Sequence, residues 1–108
     1  MVARALRKKV GPGNIKVTTA LLKFCREHDC PHFYVERLSE CLAAMNENNI
    51  SRIEELIRVL GHAGMGSFLD WAPSVKFENE DPEYVDAIWN ALLGHWLETM
   101  RPFRNQDA

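Results

Sequence analysis

The sequence lacks the features that mark membrane and secreted proteins. It contains no apolar run of about 18 residues or more, the length at which a transmembrane helix is expected. Its basic N-terminal stretch ends at Lys9 and is followed by Gly11, Pro12 and Gly13 instead of an apolar segment, so a secretory signal is not expected. We therefore expect a cytoplasmic protein that has no membrane partner.

Cysteine is scarce, and its count is odd. Three cysteines without a signal peptide argue against a disulfide framework, and we expect Cys25, Cys30 and Cys41 to be free thiols. Free cysteines in helices most often serve as small buried hydrophobic residues. Internal repeats and low-complexity segments are also absent. The 108 residues, 46% hydrophobic and 26% charged, predict one globular domain with a substantial core.

A strong net charge is missing as well, since the formal charge is −2. Residues 1–30 hold seven Lys or Arg against two acidic residues, whereas the remainder holds six basic against thirteen acidic residues. The basic end suits phosphate contacts, but no recognition helix rich in Arg, Asn and Gln is present, so nucleic acid is not expected as a partner. The uneven charge is compatible with a homodimer.

The strongest helix signal begins at Ser51, where Ser51 and Glu54 have the spacing of a capping box. Apolar residues then recur at helical spacing on one face. Gly61 is expected to end this helix in the left-handed conformation. The apolar face consists of Ile53, Leu56, Ile57 and Leu60.

Three further amphipathic helices are predicted. They run from Ile15 or Thr18 to His28, from Phe33 to Asn46, and from Pro82, capped by Asp81, to the residues before Pro102. Apolar faces are expected to include Phe33 and Tyr34 in the second helix and Tyr84, Trp89 and Trp96 in the last. The sequence therefore predicts an all-α, four-helix antiparallel bundle at residues 15–101, with a basic arm or short helix at 1–14 and a tail at 102–108.

A glycine-containing segment follows the central helix and reads Gly64-Met65-Gly66-Ser67-Phe68-Leu69-Asp70. It is neither a phosphate-binding loop nor a dinucleotide fingerprint, and ordinary turn geometry explains its glycines. From about residue 33 to 71, the chain resembles a family of small bacterial helical proteins of unknown function that carry a Gly-Met-Gly-Ser-x-x-Asp signature. The resemblance implies a bacterial helical protein, similar in size to toxin-immunity proteins, and it supplies no catalytic residues.

Four potential metal ligands lie close together in the sequence, namely Cys25, His28, Cys30 and His32. Thiolates and imidazoles are the ligands that Zn²⁺ prefers, but this spacing is not that of a known finger or ribbon. The alternative places Cys25 in the core and both histidines at a solvated corner. A cysteine activated by His62 or His95 lacks an orienting third group, so no enzyme is expected.

An acidic run lies beside two aromatic residues, Trp71 and Phe77. Such a surface suits occlusion of a basic partner surface, for example the active site of a toxin. The alternative is a solvated loop followed by ordinary acidic residues at a helix start. We expect a non-enzymatic protein-binding domain, of immunity or regulatory type and without a cofactor, with a metal-binding or thiol-dependent protein as the alternative. The acidic residues are Glu78, Glu80, Asp81, Glu83 and Asp86.

Overall fold

The computed structural model describes residues 9–61 and 68–104, and within these ranges the chain is helical and contains no strand. Four helices of more than one turn pack into a single domain, which confirms the predicted all-α fold. No helix in the described ranges is long and apolar enough to cross a membrane. The elements are α1 (Pro12–Glu27), α2 (His32–Asn46), α3 (Ile50–Leu60), a 3₁₀ helix (Phe68–Asp70), α4 (Pro82–Thr99) and α5 (Arg101–Arg104).

Neighbouring helices pack in a bundle-like arrangement. Helix α1 contacts both α2 and α4, α2 contacts α3, and the short α5 joins the ends of α3 and α4. The N-terminal arm up to residue 8, residues 62–67 and the end of the tail from residue 105 lie outside the described residues. The middle range contains His62 and the first four residues of the glycine-containing signature. Of that signature, Phe68, Leu69 and Asp70 form the 3₁₀ helix.

Helix α1 begins at Pro12, three residues before the earlier of the predicted starts. The Gly11 N–H donates to Asn14 Oδ1 at 2.8 Å, and proline suits the first helical position because its missing N–H needs no partner there. Asn14 Nδ2 also donates to the carbonyl of Thr99 at 3.1 Å. The Gly-Pro-Gly stretch therefore starts a helix and ties its first turn to the end of α4.

Two helices end in a left-handed residue that is not glycine. Asp29 follows α1 with φ 59°, and Asn48 follows α2 with φ 55°. In both places an amide bonds back to the carbonyl five residues earlier, from Cys30 to Cys25 and from Asn49 to Ala44, which is the Schellman arrangement. Gly61, predicted to be left-handed, instead has φ −84°.

The helix starts differ in how well they follow the predicted caps. Asp81 caps α4 by accepting from the Glu83 N–H at 3.1 Å, as predicted. The predicted Ser51 cap of α3 is wrong, because Asn49 accepts from the Arg52 N–H at 3.2 Å and the helix begins at Ile50. An amide side chain one residue before the helix thus replaces the capping box.

The core is built around aromatic side chains from the 3₁₀ helix and α4. Phe68 is fully buried, and its ring lies 5.5 Å from Tyr34, 5.6 Å from Trp89 and 6.2 Å from Trp96. Trp96 Nε1 donates to the buried Thr18 Oγ1 at 3.0 Å. This hydrogen bond satisfies the one polar atom of the tryptophan ring and joins α4 to α1.

Three residues depart from the expected burial. Phe33 is 50% exposed and Tyr84 is 59% exposed, although both were predicted to lie on buried faces. Phe33 instead stacks against the guanidinium of Arg37, 4.7 Å from the ring centroid. Phe103, predicted to lie in a tail, is buried within α5, so the packed part of the chain extends beyond residue 101.

Candidate functional site

A loop formed by residues 76–80 is held together by the side chain of Glu80. Its Oε1 accepts from the backbone N–H of Lys76 at 3.0 Å and from that of Phe77 at 3.1 Å. The Glu80 N–H donates back to the carbonyl of Phe77 at 3.0 Å, which closes a turn. Glu80 was predicted to contact a partner. Its carboxylate instead accepts hydrogen bonds from the loop itself, and its side chain is only 15% exposed.

The second oxygen of Glu80 binds His28 at the end of α1. His28 Nε2 lies 2.9 Å from Glu80 Oε2, and His28 Nδ1 lies 3.0 Å from the carbonyl oxygen of Phe24. Both partners are acceptors, so both ring nitrogens must carry a hydrogen for both bonds to form. With Glu80 ionised, this geometry favours the charged imidazolium form of His28.

Aromatic rings enclose the imidazole. The His28 ring stacks on Phe24 with centroids 4.1 Å apart, and it meets the edge of Phe77 at 5.8 Å. The side chain of His28 is 4% exposed. His28, which one interpretation of the sequence placed at a solvated corner, is therefore buried and is paired with Glu80 from the second half of the chain.

The pKa values of the two groups move apart, as expected of an ion pair. Burial disfavours the charged imidazolium and would lower the pKa of His28. The hydrogen bonds to Glu80 and to the Phe24 carbonyl outweigh this effect, and the charges of Glu80 and Glu27 add smaller contributions. The pKa of His28 is therefore raised from its ordinary value. The Lys76 N–H bond lowers the pKa of Glu80 against some desolvation, helped by His28 and the Phe77 N–H.

A third contact joins the loop to the end of α1. Lys76 Nζ lies 2.7 Å from Asp29 Oδ2, and both side chains are largely exposed. Exposed ion pairs of this kind contribute only about 0–1 kcal/mol. The buried His28–Glu80 pair is therefore the main polar link between the loop and α1.

The segment from residue 75 to 86 presents apolar and acidic side chains together. Val75 is 41% exposed, Phe77 is 46% exposed and Tyr84 is 59% exposed. Helical spacing predicted that Tyr84 would be buried, and nothing in the sequence pattern marked Val75 as a surface residue. The exposed acids are Glu78, Asp81, Glu83 and Asp86.

The predicted contact residues therefore divide into three groups. Glu78, Glu83, Asp86 and Phe77 are exposed, whereas Glu80 is used internally and Asp81 caps α4. Trp71 is half-buried, with its ring at 82° to that of Trp89 and 4.9 Å between their centroids.

The four predicted metal ligands are not brought together. Cys25 and Cys30 are buried side by side, both nitrogens of His28 are bonded, and His32 is exposed with Nε2 3.0 Å from Glu36. Among residues 9–61 and 68–104, no group of three or more His, Cys, Asp or Glu side chains is placed to hold a metal ion. Pro31 follows the cysteine pair, and His32 opens the next helix, where its side chain is exposed.

The described part of the chain has several small surface cavities. One cavity of about 240 Å³ lies between α2 and α3, beside Phe33 and Val59. Its charges are already paired, since Glu40 bonds both Arg37 and Arg52. The remaining cysteine, Cys41, is buried, and desolvation raises its pKa to about 12, which keeps it a neutral thiol.

These observations define the chain as a small all-α domain with an acidic and apolar surface segment. Comparison with models of protein families, with curated proteins and with solved structures found no match for this chain. Function must therefore be inferred from the residues themselves.

Proposed function

We propose that the chain is a non-enzymatic protein-binding domain whose 75–86 segment binds a basic surface on a partner protein. The observation that carries this proposal is the exposure of large apolar side chains, Phe77 and Tyr84 above all, among exposed carboxylates. Aromatic residues dominate the energy of protein interfaces, while charges at the rim select the partner and speed its approach.

The loop's own hydrogen bonds support this proposal. Glu80 holds the backbone of residues 76 and 77, and His28 fixes Glu80 to the bundle. A binding segment with a fixed backbone loses less conformational freedom when it docks, so more of the contact energy is available for affinity. Internal use of Glu80 thus favours binding by its neighbours Phe77 and Glu78.

A finer proposal is that the protein is of immunity or regulatory type, is bacterial and acts in the cytoplasm. The support is the Gly-Met-Gly-Ser-x-x-Asp resemblance together with the short chain, and the acidic segment suits occlusion of a basic active site. A toxin encoded beside this gene would favour the immunity role. A neighbour without toxic activity, whose product nevertheless binds the chain, would favour the regulatory role.

The test reverses charge only at exposed positions. Glu78→Lys, Glu83→Lys and Asp86→Lys are combined, and Glu80 and Asp81 are left intact because they hold the loop and the helix start. The matched control combines the same change at three exposed acids elsewhere in the chain. Its positions are Glu47, Glu55 and Glu98.

Affinity purification from the native cell identifies the partner, and calorimetry then measures its Kd. We expect the wild type and the control to bind alike and the reversed variant to bind at least about 10-fold more weakly, with loss of salt sensitivity. Equal affinity for all three proteins would contradict the proposal. If the interaction that disappears is self-association, the partner is a second copy of this chain.

A further inference from the structure

The end of α1 places two thiols against each other. In the Schellman arrangement described above, a residue in the last turn of the helix faces a residue just beyond the helix end. At the end of α1 these two residues are Cys25 and Cys30. The Cys30 N–H donates to the Cys25 carbonyl at 3.0 Å, which holds the two residues side by side, and the neighbouring Cys30 thiol raises the pKa of Cys25. Cys25 is fully buried, whereas Cys30, on the linker to α2, is 7% exposed.

We propose that Cys25 and Cys30 form an oxidation site at which a peroxide-class oxidant converts the two thiols into an intrachain disulfide. A disulfide needs Cα atoms within about 7 Å and side chains that point toward each other. The backbone hydrogen bond supplies the first requirement, and the left-handed helix end, which makes residues 25 and 30 face one another, supplies the second. The site is independent of the protein-binding segment proposed above.

The thiols differ in their readiness to react. Contact with the Cys30 thiol, together with burial, raises the pKa of Cys25, so Cys25 keeps its proton and is not the first to react. Cys30 lies on the short linker and is the thiol that a small oxidant reaches first. This order assigns Cys30 as the attacking sulfur and Cys25 as the resolving sulfur.

The chemistry balances with hydrogen peroxide as the oxidant. Cys30 Sγ attacks one peroxide oxygen and the O–O bond breaks. The departing hydroxide takes the Cys30 proton and leaves as water, and a sulfenic acid remains on Cys30. Cys25 Sγ then attacks Cys30 Sγ, the S–S bond forms, and the S–O bond breaks. A second water leaves and carries the Cys25 proton. The two electrons lost by the sulfurs reduce the peroxide.

The experiment treats the reduced, folded full-length chain with hydrogen peroxide and blocks remaining thiols with a maleimide after denaturation. We expect the chain to become roughly 2 Da lighter, because two hydrogens leave, and to take up one maleimide instead of three. Peptide mapping should place the cross-link between residues 25 and 30 and the maleimide on Cys41. Dithiothreitol should restore all three thiols.

Single variants separate the roles of the three cysteines. Cys41→Ser should still lose about 2 Da, whereas Cys30→Ser should lose none, and Cys25→Ser should leave a sulfenic acid on Cys30 that dimedone traps. A cross-link that includes Cys41, disulfide-linked dimers only, or three intact thiols after treatment would overturn the proposal. Peptide mapping of the wild type decides the matter even if a variant does not fold.

Discussion

The carboxylate of Glu80 and the imidazole of His28 form a 2.9 Å ion pair between residues that lie 52 positions apart in the sequence. The pair is largely buried, and each partner makes further hydrogen bonds to the backbone. It joins α1 to the loop that precedes α4, and it makes the stability of that joint depend on pH.

We expect the pair to stabilise the fold most between about pH 5 and pH 6.5, between the ordinary values for the two groups. The raised pKa of His28 means that its contribution is complete below the unfolded pKa and is lost as the pH rises through the folded pKa. The lowered pKa of Glu80 means that its contribution is lost as the pH falls through its folded pKa.

Urea unfolding across this range checks the expectation. The wild type should lose stability as the pH rises above about 6.5, and His28→Gln should flatten that dependence. The exposed His95 gives a matched control, since His95→Gln should leave the wild-type profile unchanged. Identical profiles for wild type and His28→Gln would show that the ring is not charged in the folded state.

A second prediction concerns the buried hydrogen bond from Trp96 to Thr18. Thr18→Val keeps the shape of the side chain but leaves the Trp96 N–H without its acceptor, which should lower the free energy of unfolding by about 1–3 kcal/mol. Thr19→Val on the exposed side of the same helix is the control and should change stability by less than about 0.5 kcal/mol. Chemical denaturation measures both, and equal effects would be inconsistent with a specific role for the Thr18 hydroxyl.

A third prediction separates the observed cap of α3 from the capping box that the sequence suggested. Asn49→Ala removes the acceptor of the Arg52 N–H and should destabilise the protein by about 0.5–2 kcal/mol. Ser51→Ala should cost less than about 0.5 kcal/mol, because Ser51 is exposed and lies within the helix. Thermal or urea unfolding distinguishes the two variants. A larger loss of unfolding free energy for Ser51→Ala than for Asn49→Ala would show that the capping box is the true cap.

A fourth prediction concerns the aromatic core. Phe68→Ala should lower the free energy of unfolding by about 3–5 kcal/mol, because a fully buried ring with three aromatic neighbours is removed. Phe33→Ala removes the same atoms from a half-exposed ring and should cost about 1 kcal/mol or less, mainly through its contact with Arg37. Similar losses for the two variants would mean that Phe68 does not hold the core.

The sequence predicted the helices well because their signals are local. Apolar spacing fixed the four long helices, and the adjacent Asp81 and Pro82 fixed the start of α4. The left-handed ends at Asp29 and Asn48 were missed, since sequence reasoning looks for glycine there and both residues have polar side chains. Boundaries of helices were accordingly less accurate than their existence.

The candidate site was predicted less completely because its key contact is not local. Glu80 looks like its acidic neighbours in the sequence, and only the fold shows that it faces His28. His28 in turn resembled a metal ligand because cysteines flank it. In the structure its two ring nitrogens are hydrogen-bonded to the Phe24 carbonyl and the Glu80 carboxylate. Glu78, Glu83 and Asp86 are exposed, as their charge predicted.

The half-buried position of Trp71 has an optical consequence. The protein has three tryptophans, and Trp89 and Trp96 are enclosed in the core, so Trp71 is the indole whose emission responds most to a change at the surface. Its edge contact with Trp89, 4.9 Å away, also allows excitation energy to pass between the two rings. Docking on the nearby 75–86 segment would therefore shift the intrinsic fluorescence, and the chain would carry its own label for a binding titration.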